Sequence, residues 1–96
     1  MYVSIASIWE IMIKEQIGKL NIDETSAMEL QRICGEMDIS ILQTTIPQLD
    51  GIRHLPIFKD HGDPFDRLII SQAMDLRLPV LTCDEKFDRY DIEVVW

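Results

Sequence analysis

Basic residues are scarce in this chain: nine Lys and Arg stand against seventeen Asp and Glu, for a formal net charge of −8 over 96 residues. Such a balance repels nucleic acid at long range rather than attracting it, a cost that bound metal ions or a basic partner would reduce. Cysteine is also scarce. Cys34 and Cys83 lie far apart, which excludes a dense disulfide scaffold, and both are expected as buried thiols. Long apolar runs are missing, because residues 11–13 stop at Lys14 and Glu10 interrupts the run before them; a membrane span is excluded on length. Residues 1–4 lack the basic start of a secretory leader, so a cytoplasmic location is expected. There is no glycine-rich phosphate loop, and no Ser-His-Asp or Cys-His set can be assembled.

What is present is ordinary for a folded protein: 47% hydrophobic and 27% charged residues, which favours neither disorder nor a fibrous class. A chain of this length makes a single domain, here residues 1–96, that buries about two thirds of its unfolded surface. Ile5, Ile8, Trp9, Met12 and Ile13 recur at helical steps and predict an amphipathic helix over 4–18, stopped by Gly18. A second helix is expected from Ser26 to Met37, a short strand over 39–42, and a third helix from Pro47 to His54. Asp63 as cap and Pro64 at the first helical position start a fourth helix that runs to about Arg77. Residues 80–83 then read as a strand buried on both faces, Asp84 opens a helical turn through Tyr90, and residues 92–96 form a last strand. This alternation implies an α/β fold, a small parallel or mixed sheet flanked by helices.

Ligands of open α/β sheets gather at the carboxyl ends of strands, where Asp84 stands. Capping of the following turn and metal binding are both open to it, since a carboxylate has lone pairs for both. Asp66 shares a helical stripe with Ile69, Ile70, Ala73 and Leu76, so its carboxylate points inward and needs a partner. A capping box with Asp63 is one reading; a metal or cation is the favoured one, with Asp63 able to reach the metal through water. Glu10 has apolar neighbours but also Lys14 four residues on, and periodicity alone favours an exposed ion pair between them. His54 and His61 have no second ligand at zinc spacing and read as surface or loop residues, contact with a substrate phosphate being the lesser alternative for His61. Arg67, beside Asp66, reads as a solvated surface residue before a phosphate contact, and so does Lys14. A receiver-like role for Asp84 as phosphoacceptor fails because no acid pair follows an early strand.

SIASIWEIMIKEQIGKL near the start, LP at 55 and 56, HGDPFDRLIISQA and LTCDEKFDRY together cover essentially the whole chain. In these segments the sequence resembles PIN-domain ribonucleases, specifically the VapC-like toxins of bacterial type II toxin–antitoxin pairs. The resemblance implies a PIN-like sheet flanked by helices and an acidic site at Glu10, Asp66 and Asp84. Those carboxylates would hold one or two Mg²⁺ or Mn²⁺ ions, with Asp84 a ligand or an orienting group for the attacking water, and RNA would be the substrate. A cognate antitoxin is the implied protein partner. The family begins with a strand bearing a leading aspartate, followed by a helix; against that pattern the chain reads as N-terminally truncated. Two functions are therefore expected in competition: an active endoribonuclease toxin, or a catalytically impaired remnant that binds only antitoxin or itself. Self-association, as a dimer or higher oligomer, is expected in either case.

Overall fold

In the computed structural model, which describes residues 1–18 and 26–95, Ser4 ends one element and starts the next. It closes strand β1 (Tyr2–Ser4) and caps helix α1 (Ile5–Gln16), its side chain accepting from the Ala6 N–H at 3.1 Å. β1 carries no signal in the sequence, because three residues are too few to express an alternating pattern. It exists through a distant partner, pairing in parallel with β2 (Ser40–Leu42) in the register Tyr2 to Ser40, Val3 to Ile41 and Ser4 to Leu42. The stop expected at Gly18 is found: its φ of 76° is the left-handed conformation that glycine adopts without strain, and its N–H bonds the Glu15 carbonyl at 3.1 Å. On α1 the buried positions are Ala6 and Ile8, whereas Trp9 is exposed. Trp9 lies about 100° round the helix from Ile8, on the flank of the apolar stripe rather than at its centre. Helix α2 (Ala27–Glu36), capped by the Ser26 hydroxyl on the Glu29 N–H at 3.0 Å, packs with α1 and β2. These elements make up the first of two compact units, residues 1–44.

The second unit, residues 45–96, is organised on two capped helices. Thr45 and Gln48 form a reciprocal capping box at the start of α3 (Ile46–Ile52), with Pro47 in the first turn. Asp63 accepts from the Asp66 N–H at 3.0 Å and starts α4 (Pro64–Leu76), as the sequence predicted. Arg77, in a left-handed conformation, ends it. The two helices are joined by polar contacts that no apolar pattern announces. Gln48 is buried; its carbonyl accepts from the Ser71 hydroxyl at 2.5 Å, its side-chain oxygen accepts from Gln72 Nε2 at 3.2 Å, and its own Nε2 donates to Asp75 at 3.1 Å. A buried polar group left unpaired would cost about 1–3 kcal/mol, so this closed network fixes how α3 and α4 meet. Gly51 permits the approach, since a Cβ there would stand 2.6 Å from the Ser71 hydroxyl oxygen.

The apolar core of this unit is Leu55, Ile70, Phe87 and Tyr90, with Phe58, Ile69, Val80, Ile92 and Val94 packed around it. Strand β3 (Val80–Leu81) pairs in parallel with β4 (Val94–Val95), and a 3₁₀ turn over Glu85–Arg89 connects them. The fold is thus α/β, with short parallel strands and four helices among the described residues. The parallel pairing takes the form of two two-stranded ladders, one in each unit, rather than one sheet.

Two expectations are corrected. Residues 80–83 are not a strand buried on both faces: the strand is only Val80–Leu81, and Leu81 is exposed because the face it projects from is not covered among the described residues. The thiols are not both buried either. Cys34 is half-buried and Cys83 exposed, the latter because it follows the end of β3 instead of lying within it, and both are free. Trp96, placed at the end of the last strand by the sequence, lies outside the described residues.

Candidate metal centre

Three donor groups of the second unit converge. Atoms of His61, Asp66 and Asp84 that could each ligate a metal all lie within 4.8 Å of one another. Each is brought there by a local rule. Asp66 is in the first turn of α4, held at that position by the Asp63 cap, where the helix dipole favours a negative charge. Asp84 follows the end of β3 and caps the 3₁₀ turn, its Oδ1 accepting from the Lys86 N–H at 3.0 Å while its own N–H donates to the Thr82 hydroxyl at 3.1 Å. Its second oxygen is what a ligand could use, so capping and binding coexist. His61 sits in the loop before α4, in an isolated antiparallel bridge with Phe58.

His61 is where the sequence reading fails. Expected as a surface or loop residue, it is 4% exposed and bonded at both ring nitrogens, Nδ1 to the Tyr90 hydroxyl at 2.8 Å and Nε2 to Asp66 Oδ2 at 3.1 Å. The rings of Phe87 and Tyr90 pack against it, with centroids at 5.8 and 5.5 Å. One signal in the sequence could have found it: His61 is five residues before Asp66, just ahead of a capped helix start, so a loop that turns back places the ring beside the first turn.

Asp66 does point inward as expected, with its side chain 25% exposed, and its partner in this structure is His61. Arg67 is not a solvated surface residue. Its guanidinium donates to the carbonyls of Pro56 at 2.9 Å and Ile52 at 3.3 Å, fastening the loop that follows α3 onto α4. Asp63 serves as the helix cap. Glu10 belongs to the first unit, on α1, where it is half-buried and pairs with Lys14 at 2.8 Å. His54 is exposed.

Beside Asp84 an open depression is lined by Cys83, Asp84, Glu85, Lys86 and Arg89. Arg89 forms a two-pronged ion pair with Asp60 and lies over the Phe58 ring, 5.4 Å from its centroid. The hydrogen-bonded Arg89 guanidinium holds the Asp60 carboxyl below its ordinary range, and Asp60 in turn raises the arginine. Both groups are at the surface, where such a pair contributes little to stability.

The donor set suits a hard divalent cation. Two carboxylates supply the oxygen ligands that Mg²⁺ and Mn²⁺ take, and an imidazole nearby is more compatible with Mn²⁺ than with Mg²⁺. Their mutual spacing is close to that of groups around one ion, so the residues present fit such a group. Among the described residues no helix is long and apolar enough to cross a membrane. No curated protein matches the chain at a significant level. The PIN-domain family model, by contrast, matches residues 1–93. The chain therefore belongs to the PIN-domain family, a nuclease-type family whose members generally depend on divalent metal ions.

Proposed function

We propose that this protein is a metal-dependent endoribonuclease toxin of the VapC-like type, which cuts RNA phosphodiesters at an acidic site containing Asp66 and Asp84 and is neutralised by a cognate antitoxin. The observation that carries the reading is the meeting of these two carboxylates, from a helix start and a strand end well separated in sequence, beside a buried histidine. A divalent ion, when bound, would supply Lewis-acid stabilisation of the charge that builds on phosphate oxygens. The chain's own residues do the rest. Asp66 and Asp84 would hold the ion, the Asp63 cap fixes the first turn from which Asp66 projects, and Asp84, exposed to solvent, is able to orient a water toward phosphorus. Lys86, in the depression beside Asp84, offers a positive charge to an RNA backbone that the net charge of −8 otherwise repels. Glu10 is the third acid implied by the resemblance.

The test is cleavage of single-stranded RNA by the purified protein with Mn²⁺. Cleavage is expected with the ion, none with EDTA, and a severe loss in Asp84→Asn, which keeps an oxygen for the Lys86 N–H but removes the charge. Cleavage that survives EDTA or this substitution would remove the metal and Asp84 from the reaction, and no cleavage by the wild type would overturn the reading in favour of a non-catalytic module that binds antitoxin or itself.

Self-association is part of the proposal, supported by the exposed Leu81 and Val95 on paired short strands. Sedimentation at micromolar concentration is expected to give a dimer or larger species; a monodisperse monomer would count against it.

A further inference from the structure

The buried His61 is one of the three converging groups, yet both of its ring nitrogens are already committed within the chain. The direction of these bonds follows from donor chemistry. An ionised carboxylate only accepts, so the proton of the Asp66 bond sits on His61 Nε2. A neutral ring then has a bare Nδ1, and the Tyr90 hydroxyl must donate to it. In the neutral ring these bonds form a one-way chain, Tyr90 O–H to His61 Nδ1 at 2.8 Å and His61 Nε2–H to Asp66 Oδ2 at 3.1 Å.

The chain is rigid at its far end. Tyr90 is 4% exposed and belongs to the apolar core, and its ring meets Phe58 edge-on with centroids 5.4 Å apart. The His61 backbone N–H bonds the Phe58 carbonyl at 3.3 Å. The residue is therefore held by its backbone bond, the Tyr90 hydroxyl and the neighbouring Phe87 and Tyr90 rings, and its Nε2 faces Asp66.

We infer that His61 is a positioning residue: held in its Nε2–H form by Tyr90, it bonds one oxygen of Asp66 and so fixes the rotation of that carboxylate at the metal site. This inference rests on the metal site proposed above. It assigns His61 a place outside the ion's own ligands, since ligation through Nε2 would require giving up that proton and the bond to Asp66. Partners of this kind orient metal-binding carboxylates, and their loss typically costs about 10–100-fold in metal affinity or activity. The same arrangement explains why a histidine is buried among Phe58, Phe87 and Tyr90 at all: each polar atom of its ring is satisfied.

Two readouts test it. In the metal-free protein at neutral pH, nitrogen-15 NMR of the imidazoles is expected to show His61 as Nε2–H with a bare Nδ1, and Tyr90→Phe to relax that preference. A ring carrying Nδ1–H in the wild type would overturn the inference whatever the fate of the metal site. Mn²⁺ affinity by titration calorimetry is expected to fall about 10–100-fold in His61→Ala. His61→Gln, whose amide can replace the Nε2–H donor, should recover much of it, and His54→Ala, at an exposed site, should change nothing. Tyr90→Phe keeps the core ring, so it reports on the hydroxyl even if His61→Ala unfolds; it should weaken Mn²⁺ binding in the same direction but less. Unchanged affinity in His61→Ala and Tyr90→Phe would overturn the positioning role while the metal site stands. Loss of the Nε2 proton on adding diamagnetic Mg²⁺ would make His61 a ligand and overturn it too. A wild type that binds no Mn²⁺ would overturn the metal site and this inference together.

Discussion

Asp66→Ala is expected to lose Mn²⁺-dependent RNA cleavage by at least about 100-fold, because even residues that merely orient metal ligands are worth 10–100-fold. The fold should survive the change. The start of α4 depends on Asp63, whose side chain accepts from the backbone N–H of residue 66, and that bond does not need the Asp66 carboxylate. What alanine does remove is the acceptor for His61 Nε2, leaving a buried donor unpaired at a cost of about 1–3 kcal/mol. Asp66→Asn separates the two effects. An amide oxygen still accepts from His61, so stability should stay near the wild type, while the charge that a cation needs is gone. Both variants are therefore expected to be inactive, and only the alanine variant to melt lower in thermal denaturation followed by circular dichroism. Equal cleavage by Asp66→Ala and the wild type would point to a contaminating nuclease and remove Asp66 from the site.

Ile70→Ala is expected to have the largest effect on stability. Ile70 is 0% exposed and lies on α4 within the cluster of Leu55, Phe87 and Tyr90. Truncating a buried isoleucine costs about 2–5 kcal/mol, from lost transfer energy plus the cavity left behind. A chain of 96 residues has a total stability of roughly 5–14 kcal/mol at the usual stability per residue, so a large part of it would go. The melting temperature should fall by at least about 8 °C. Because Tyr90 and α4 also hold His61 and Asp66, Mn²⁺ affinity should weaken with stability in Ile70→Ala, whereas Asp66→Asn should lose affinity alone. A melting temperature within about 2 °C of the wild type would show that the packing around Ile70 contributes far less than its burial implies.

Features governed by local physics follow directly from the order of residues along the chain. Ser26 and Asp63 cap helices where their short polar side chains fall just ahead of apolar periodicity, and Gly18 ends α1 because a left-handed residue is cheapest as glycine. The positions of Asp66 and Asp84 are legible for the same reason: a helix start and a strand end are local features, and each sets an acid at a predictable place. The PIN-domain motifs that carry the family are likewise contiguous stretches of sequence.

Features that depend on contacts between distant residues emerge only when the chain is packed. β1 is a strand because β2, nearly forty residues later, pairs with it, and three residues alone have no period to read. Gln48, Ser71, Gln72 and Asp75 look like ordinary surface residues until α3 and α4 are packed; their hydrogen bonds then form the seam. His61 was read as a surface or loop residue for the same cause. A histidine's burial is set by what closes over it, here Phe87 and Tyr90 from after β3, and no local pattern encodes a hydroxyl 29 residues away that satisfies Nδ1. Local propensity therefore named the acids, while the packing of distant side chains determined that one of them faces a buried, directed histidine.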